Sequence, residues 1–339
     1  MSFPGTYDIL ATLGPATAEA ELRRTLQAAG ATRFRLNTSH LTVEAVRRWL
    51  EALACDGRPA VVLDLQGSKW RLGELKRQEL ATGQEVDLVL CGDGQGSTGS
   101  AGAGPGAGGT LPVPHPDFFT AAGESDGRIL INDARVELRL ESLDAAAGSA
   151  RARVITGGPV DRAKGITLPE TAHRRESLSR KDREITELAR GAEGIELALS
   201  YVRDGAEMAV YRRAMGAGIR LTAKVERPTA VADIERIAAL CDEVWLCRGD
   251  LGAEVGLAAM AGAVSEVAGK IPALGVPVLM AGQVLEHMSV SPQPTRAEVV
   301  QLHDLLVDGF AGVVLSDETA VGRYPVEAVR AAALFREGV

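Results

Sequence analysis

The sequence predicts an α/β protein built on a parallel (β/α)8 barrel. Eight short apolar runs rich in β-branched residues recur along the chain, and stretches with helical periodicity separate them. In chain order the runs are YDILATL, TRFRLN, AVVLDL, IELALS, IRLTAKV, EVWLC, VPVLMA and AGVVLS. Eight strands that alternate with helices favour a closed parallel barrel, although the pattern alone also allows a doubly wound sheet.

The stretches between the runs have the pattern of amphipathic helices. AEAELRRTLQAAG ends at Gly30, a typical residue after a helix, and TVEAVRRWLEALA follows the capping residue Thr42. TAVADIERIAALC is expected to begin at Thr229 in the same way. These helices would cover the outside of the predicted barrel.

One long segment interrupts the alternation after the third strand. Helical periodicity is absent from about Ser68 to about Lys164, where QEVDLVL, GRILIND, RVELRLES and SARARVIT resemble strands. We therefore expect a barrel domain formed by residues 1–67 and 165–339 and a small β-rich domain inserted at residues 68–164. The Gly-rich stretch CGDGQGSTGSAGAGPGAGGT is expected to be a flexible loop and not a phosphate loop, because no GK[ST] follows it.

Composition excludes several classes of protein. The chain has 339 residues, 46% of them hydrophobic, and a net charge of −8, which argues against a general nucleic-acid binder. No uncharged apolar run reaches about 18 residues, so no membrane span is expected. The start lacks the pattern of a signal peptide, and the four cysteines are scattered without a CxxC spacing, so the expected location is the cytoplasm.

A cluster of charged residues follows two neighbouring strands of the predicted barrel. Lys224 and Glu226 are two apart at the end of the fifth run, and Arg248 and Asp250 follow the sixth. Catalytic groups of such barrels collect at the carboxyl ends of the strands. A lysine between carboxylates is typical of a divalent-cation site beside a cationic acid or a phosphate clamp, and the alternative is an ordinary ion-pair network at the rim.

AKVERPTA followed by LCRGDLGAEV resembles the paired active-site segments of the pyruvate kinase family. Further segments resemble family signatures in the family's order: ATLGPAT, RFRLNTSH, VVLDLQGSKWRLG, ILINDARVEL, AKGITLP, LSRKDREI, PQPTRAEV and LSDETAVGRYPVEAV. The predicted insertion also falls where that family carries its lid. The resemblance implies a TIM barrel with a lid domain and phosphoryl transfer between phosphoenolpyruvate and ADP, giving pyruvate and ATP.

The resemblance also implies roles for single residues. Glu226 and Asp250 would bind Mg²⁺ or Mn²⁺, Lys224 would neutralise the phosphoryl group near the enolate oxygen, and Arg35 would clamp that group. The implied catalytic hydroxyl is that of Ser316. The remaining implied contacts are with the substrate (Arg248, Gly249, Asp250, Gly282) and with the nucleotide (Asn37, His40, Arg71, Lys164), and Asp133 matches an acidic position of the lid.

The family's monovalent-cation region matches Asn37, Ser39 and Asp64, with one reversal of charge. Where the family has a glutamate in its GPEIR segment, this chain reads GSKWR and has Lys69. A lysine ammonium can supply the positive charge that K⁺ otherwise provides. The resemblance therefore implies that K⁺ is not required.

Three further departures bear on function and assembly. Gly282 replaces the family's threonine in AGQVL, which removes a hydroxyl that touches the substrate. Val300 and Gln301 replace a polar pair after PTRAE, where subunit contacts are expected. The sequence also ends where the family continues into a C-terminal allosteric domain, so we expect no effector control and a homodimer formed through the barrel.

Three functions are consistent with these patterns. The first is a pyruvate kinase-like phosphotransferase. The second is a divergent enzyme of phosphoenolpyruvate or a 2-oxo acid, such as a pathway-specific kinase, a decarboxylase or a lyase, that uses the same metal and enolate chemistry. The third is a metabolite-binding protein without catalysis, which the presence of Arg35, Lys224, Glu226 and Asp250 disfavours.

Overall fold

The computed structural model describes residues 5–92, 109–132, 134–169 and 178–336. These residues form two compact units. The barrel unit comprises the described residues of Met1–Gly67, Leu178–Leu251 and Ala258–Val339, and the insertion unit comprises those of Ser68–Ser177 and Gly252–Leu257. Most of the Gly-rich stretch predicted to be a loop lies outside the described residues, as does Asp133.

The elements of both units are numbered together in chain order, and strands and helices alternate along most of the barrel unit. The strands are β1 Asp8–Thr12, β2 Arg33–Asn37, β3 Val61–Leu65, β4 Trp70–Arg71, β5 Gln78–Leu80, β6 Glu85–Leu90, β7 Gly109–Val113, β8 Arg128–Ile131, β9 Val136–Asp144, β10 Ser149–Thr156, β11 Gly158–Val160, β12 Gly165–Thr167, β13 Ile195–Leu199, β14 Leu221–Val225, β15 Glu243–Cys247, β16 Val278–Ala281 and β17 Gly312–Leu315. The α-helices are α1 Ala20–Ala28, α2 Val43–Cys55, α3 Pro116–Glu124, α4 Arg180–Ala189, α5 Gly205–Met215, α6 Pro228–Ala232, α7 Ile234–Ala238, α8 Arg248–Val255, α9 Leu257–Leu274, α10 Arg296–Val307, α11 Asp317–Ala320 and α12 Pro325–Ala332. Short 3-10 helices are Pro15–Thr17, Thr38–His40 and Glu286–Ser289.

Eight parallel strands close into a barrel, in the order β1, β2, β3, β13, β14, β15, β16, β17 and back to β1. Each of the eight apolar runs in the sequence contains one of these strands, so the predicted (β/α)8 barrel is confirmed and the doubly wound alternative is wrong. Apolar side chains pack together between the strands, among them Leu10, Val62, Trp245 and Leu279. The barrel is therefore a filled core, and its charged groups lie towards its two ends.

The helix ends follow from local sequence in two of the three predicted cases. Gly30, just after α1, has φ +121, a conformation that glycine adopts without steric cost. The Thr42 side chain accepts a hydrogen bond from the Ala45 N–H at the start of α2.

The third predicted helix is wrong in its start and its continuity. The segment forms two short helices, α6 and α7, and α6 begins at Pro228 after an extended Arg227. The residue before a proline disfavours the helical region, and proline suits the first helical position. The break falls at Asp233, whose carboxylate accepts a hydrogen bond from the Gly205 N–H at the start of α5.

The insertion unit is rich in β-structure, as predicted. Seven strands form one sheet in the order β4, β12, β8, β9, β10, β6, β7, with only β6 and β7 parallel, and β5 pairs with β11. The expectation that the segment lacks helices is wrong for α3, which brings the fully buried Phe118 and Phe119 into the core. Pro116 at its first position is a helix-start signal, but nine residues are too few for periodicity to show.

An ion cluster lies at the amino-terminal ends of the barrel strands. The buried Arg33 guanidinium contacts the carboxylates of Asp8 at 2.9 Å, Glu196 at 2.7 Å and Glu243 at 2.5 Å. Arg220 lies farther from two of these groups, at 3.6 Å from Glu196 and 3.7 Å from Glu243. Since Glu243 is fully buried, Arg33 is the group that compensates its charge most closely.

We expect Arg33→Leu to lower the free energy of unfolding by about 3–5 kcal/mol, because the variant leaves buried carboxylates without their closest cation. Arg220→Leu is the matched control, and its effect should stay below about 1 kcal/mol because its side chain is 45% exposed. Urea unfolding of both variants measures the difference. Equal losses from the two variants would contradict the role given to Arg33.

Candidate active site

The carboxyl ends of β14 and β15 place the predicted charged residues at the same rim of the barrel. Lys224 lies within β14 and Glu226 directly follows it, while α8 begins at Arg248 directly after β15. The two strands are neighbours, with Lys224 aligned to Trp245. Asp250 lies in the first turn of α8, so its carboxylate is carried on the same rim.

Lys224 is a buried cation with three oxygen neighbours. Its Nζ lies 2.8 Å from Ser200 Oγ, 2.9 Å from Glu226 Oε1 and 3.2 Å from Asp64 Oδ2. Burial by itself would lower the pKa of Lys224, but the carboxylates of Asp64 and Glu226 outweigh burial, and the pKa lies above its ordinary value. The ammonium group is therefore charged at neutral pH and suits charge stabilisation better than proton transfer.

Asp64 joins Lys224 to Arg35. Its Oδ2 accepts hydrogen bonds from Arg35 Nε at 2.9 Å and Nη2 at 2.6 Å, and its Oδ1 accepts one from Ser200 Oγ at 3.1 Å. Burial would raise the pKa of Asp64, but Lys224 and Arg35 together hold it below its ordinary value. Arg35 Nη1 also lies 2.9 Å from Thr12 Oγ1 and 3.5 Å from Ser316 Oγ. One carboxylate thus brings side chains of β2, β3, β14 and the end of β17 together.

Glu226 and Asp250 form the candidate divalent-cation site. Glu226 is almost fully buried, and its Oε2 accepts a hydrogen bond from the Tyr201 N–H at 2.7 Å. Burial raises the pKa of the Cys247 thiol, the negative charges of Glu226 and Asp250 raise it further, and the Lys224 ammonium opposes them.

No group of three or more His, Cys, Asp or Glu suited to a metal occurs among the described residues. The sequence assigns two carboxylates, those of Glu226 and Asp250, to the candidate site. This donor set fits Mg²⁺, which commonly keeps waters and substrate oxygens beside one or two carboxylates.

Arg248 is fixed by the turn that follows β16. Its guanidinium donates to the Gly282 carbonyl from Nε at 3.0 Å and from Nη2 at 2.8 Å, and to the Gln283 carbonyl at 2.9 Å. Gly282 has φ +90, and a Cβ there would lie 3.1 Å from the Gly249 backbone nitrogen. A threonine at this position would be strained, so the lost hydroxyl is accompanied by a backbone conformation that favours glycine.

A family model described as "Pyruvate kinase, barrel domain" matches residues 6–329. The chain belongs to the pyruvate kinase family. It is 37% identical to a pyruvate kinase of Agrobacterium vitis over 333 residues, which is 95% of this chain and 65% of that protein. It is also similar to a pyruvate kinase of Methylorubrum extorquens, at 35% identity over 95% of this chain and 66% of that protein. Pyruvate kinase 2 of Synechocystis is 32% identical over 99% of this chain and 57% of that protein. The chain therefore spans about two thirds or less of these relatives.

The residues expected from the sequence to contact the nucleotide and to form the monovalent-cation region belong to both units. In the barrel unit, Asn37 Oδ1 accepts a hydrogen bond from the Ser39 N–H at 3.2 Å and begins the 3-10 helix that ends at the exposed His40. In the same segment, Thr38 Oγ1 donates to the Asp64 carbonyl at 2.7 Å. These contacts fix the backbone beside the Arg35 and Asp64 pair.

The insertion unit holds Lys69, Arg71 and Lys164. Arg71 Nη1 donates to the Ala163 carbonyl at 2.8 Å, and the Leu72 N–H donates to the Lys164 carbonyl at 2.9 Å. Lys69 is 4% exposed. A Cβ at Gly165 would lie 2.2 Å from Lys69 Cε, so this glycine leaves the space that the lysine side chain occupies. The three basic residues therefore lie on or beside adjoining strands of this unit.

Two polar residues of the rim, Ser200 and Glu318, are not predicted from the sequence. Ser200 bridges Lys224 and Asp64, and Glu318 accepts hydrogen bonds from the backbone N–H groups of Leu285 and Ser316. Ser200 is the last letter of IELALS, so its place at a strand end was a usable signal. Glu318 lies beyond the strand end, and no spacing rule would have selected it.

Proposed function

We propose that this chain catalyses phosphoryl transfer between phosphoenolpyruvate and ADP, giving pyruvate and ATP. The observation that carries the proposal is the buried cluster of Lys224, Arg35 and Asp64 beside Glu226. It offers two fixed cations next to a carboxylate that suits a divalent metal. Phosphoryl transfer needs this arrangement, since its catalysis is mainly positioning and stabilisation of charge. Membership of the pyruvate kinase family supports the same reaction.

Glu226 and Asp250 would hold Mg²⁺ or Mn²⁺. When bound, such an ion would act as a Lewis acid that stabilises negative charge on the substrate. Lys224 then stabilises charge on the transferring phosphoryl group and the enolate oxygen, and Arg35 binds the phosphoryl oxygens. The phosphoryl group leaves the enol oxygen for the terminal phosphate of ADP, with Asn37, His40, Arg71 and Lys164 as the proposed nucleotide contacts.

The enolate then takes a proton at its terminal carbon. The role that we propose for Lys224 is electrostatic, because Asp64 and Glu226 raise its pKa above the ordinary value. Ser316 supplies the hydroxyl nearest to Arg35 on the β17 side, at 3.5 Å from Nη1. We assign this hydroxyl to proton delivery, directly or through a water.

Gly282 favours a second candidate, an enzyme that uses the same metal and enolate groups on a different 2-oxo acid or its phosphoenol. Gly282 has no side chain, and its φ of +90 resists a threonine. A pathway-specific kinase, a decarboxylase or a lyase would use Glu226, Asp250 and Lys224 alike. Turnover of phosphoenolpyruvate and ADP distinguishes the two candidates.

A coupled assay with phosphoenolpyruvate, ADP and Mg²⁺ should show turnover of the parent chain. Lys224→Met should lower kcat by about a hundredfold or more, since its charge acts mainly in the transition state. Its Mg²⁺ affinity should be unchanged or higher, because the ammonium beside Glu226 repels a second cation. Glu226→Gln should instead lose Mg²⁺ affinity.

The exposed Lys76 offers a matched control, and Lys76→Met should behave as the parent. Mg²⁺ binding is measured by calorimetry. A Glu226→Gln variant that binds Mg²⁺ as tightly as the parent would refute the metal assignment. Mg²⁺ binding without turnover of phosphoenolpyruvate would favour the second candidate.

We propose that the reaction does not require K⁺, because Lys69 carries a positive charge where other members have a glutamate. Turnover should be unchanged when KCl is added at constant ionic strength. Lys69→Glu should acquire K⁺ activation, while Lys76→Glu, the same reversal at an exposed lysine of the same unit, should not. Strong activation of the parent by K⁺ would refute the idea.

The partner that we propose is a second copy of the chain, bound through the barrel. Helix α9 has only two buried side chains, Val267 and Leu274, among 18 residues, and exposes Leu257 and several alanines. It is the one helix among the described residues long and apolar enough to span a membrane on length and composition, which is weak evidence for a span. Glu266 and Lys270 form an ion pair within it, at 2.7 Å.

Sedimentation should show a mass near twice that of the 35.6 kDa chain. Ala261→Glu on α9 should shift the protein to monomers, whereas Ala146→Glu, the same change at an exposed alanine of the insertion unit, should not. A parent that sediments as a monomer would exclude the dimer.

The proposed location is the cytoplasm, where the substrates of this reaction occur.

A further inference from the structure

Glu318 is a fully buried carboxylate that joins the ends of two barrel strands. It lies in α11, directly after β17, and its Oε2 accepts a hydrogen bond from the Ser316 N–H at 2.6 Å. Its Oε1 accepts one from the Leu285 N–H at 3.0 Å, 33 residues away. Leu285 belongs to the turn that follows β16. Each carboxylate oxygen thus fixes one backbone group, and the two groups belong to different strand ends.

The turn held by Glu318 has an uncommon backbone. Gly282 and Gln283 both have positive φ, +90 and +54, and Gln283 is not a glycine. Such a conformation persists when surrounding contacts determine it. Val284 and Leu285 anchor the turn in the core, and the described polar contacts are the Leu285 N–H bond to Glu318 and the Arg248 bonds to the carbonyls of residues 282 and 283.

Glu318 also acts on Arg248 through charge. Burial lowers the pKa of Arg248, and the negative charge of Glu318 opposes that effect. Burial outweighs this charge, and the pKa of Arg248 lies below its ordinary value. Burial raises the pKa of Glu318, while the backbone N–H groups of Ser316 and Leu285 lower it.

We propose that Glu318 is a positioning residue of the active site: it holds the turn from Gly282 to Leu285 against the end of β17 and thereby fixes Arg248 for substrate binding. The same carboxylate fixes the backbone of Ser316. The proposal deepens the proposed function and rests on it for the identity of the substrate. The positioning itself rests only on the hydrogen bonds among Glu318, the turn and Arg248.

The variant that tests this is Glu318→Gln. Glutamine keeps the shape of the side chain but has one acceptor oxygen and an NH₂ group, so one of the two N–H groups faces another donor. The turn loosens, and Arg248 loses its fixed place. We expect the KM for phosphoenolpyruvate to rise roughly tenfold, with a smaller change in kcat and unchanged Mg²⁺ affinity. Asp317→Asn, at the exposed neighbouring carboxylate, should leave both constants as in the parent.

A double-mutant cycle with Arg248→Lys separates positioning from general stability. If Glu318 acts through Arg248, the two changes are not additive, and Glu318→Gln raises KM much less when Arg248 is already lysine. Additive effects on KM would overturn the proposal. A lower melting temperature with unchanged KM would also overturn it, since Glu318 would then be structural only.

Hydrogen exchange of the intact protein supplies a readout that needs no turnover. Peptides that cover residues 282–289 should exchange faster in Glu318→Gln and in Arg248→Lys than in the parent, and peptides from α1 should not change. Unchanged exchange in both variants would overturn the proposal. If the parent binds phosphoenolpyruvate without turnover, the proposed reaction fails. The roughly tenfold effect of Glu318→Gln should then appear in the Kd for phosphoenolpyruvate, measured by calorimetry. If phosphoenolpyruvate does not bind, the exchange result alone decides whether Glu318 holds the turn.

Discussion

The buried carboxylate of Asp64 organises the charged rim of the barrel. Arg35 and Lys224 both lie within 3.2 Å of it, and neither cation would be tolerated in a core of this kind without an anion. Asp64 fixes the positions of both cations before any ligand arrives. Groups that are already in place need no reorganisation during a reaction, which is the property that makes electrostatic stabilisation effective.

The apolar interior of the barrel strengthens the interactions of these charged groups. Between the rim and the opposite end, Leu10, Val62, Trp245 and Leu279 fill the space between the strands. A region of this kind has a low effective dielectric constant, so each ion pair at its border interacts more strongly than it would in water. The Arg33 cluster at the other end also has close contacts between buried ions, but there they stabilise the fold. Its fully buried Glu243 accepts a hydrogen bond from the Trp245 indole at 2.6 Å. The fold thus carries buried ions at both ends, and the rim cluster is the one beside the candidate metal carboxylates.

Sequence reasoning predicted the barrel because its signal is repeated and local. Eight apolar runs at strand length, separated by helical periods, leave few alternatives, and the charged residues at their ends could be assigned to one rim. Helix α3 was not predicted because nine residues are too few to show a helical period. The start of α6 was misplaced by one residue, because Pro228 and not Thr229 is its first residue. Sequence reasoning also missed the contacts that hold the site together. Asp64 pairs with an arginine 29 residues earlier and Glu318 with a backbone group 33 residues earlier, and no local pattern encodes such pairs.

The departure at Gly282 concerns proton transfer more than phosphoryl transfer. Under the proposed function, the phosphoryl group meets Arg35, Lys224 and the metal carboxylates. Lys224 contacts Glu226, and Lys224 and Arg35 both contact Asp64. The carboxylates of Asp64 and Glu226 raise the pKa of Lys224 above its ordinary value, which makes its ammonium a weak proton donor. Gly282 has no hydroxyl, and its φ of +90 would strain a threonine at this position. Under the proposed function, the proton therefore reaches the enolate from Ser316 or from a water, and Gly282 affects this step rather than the phosphoryl transfer before it.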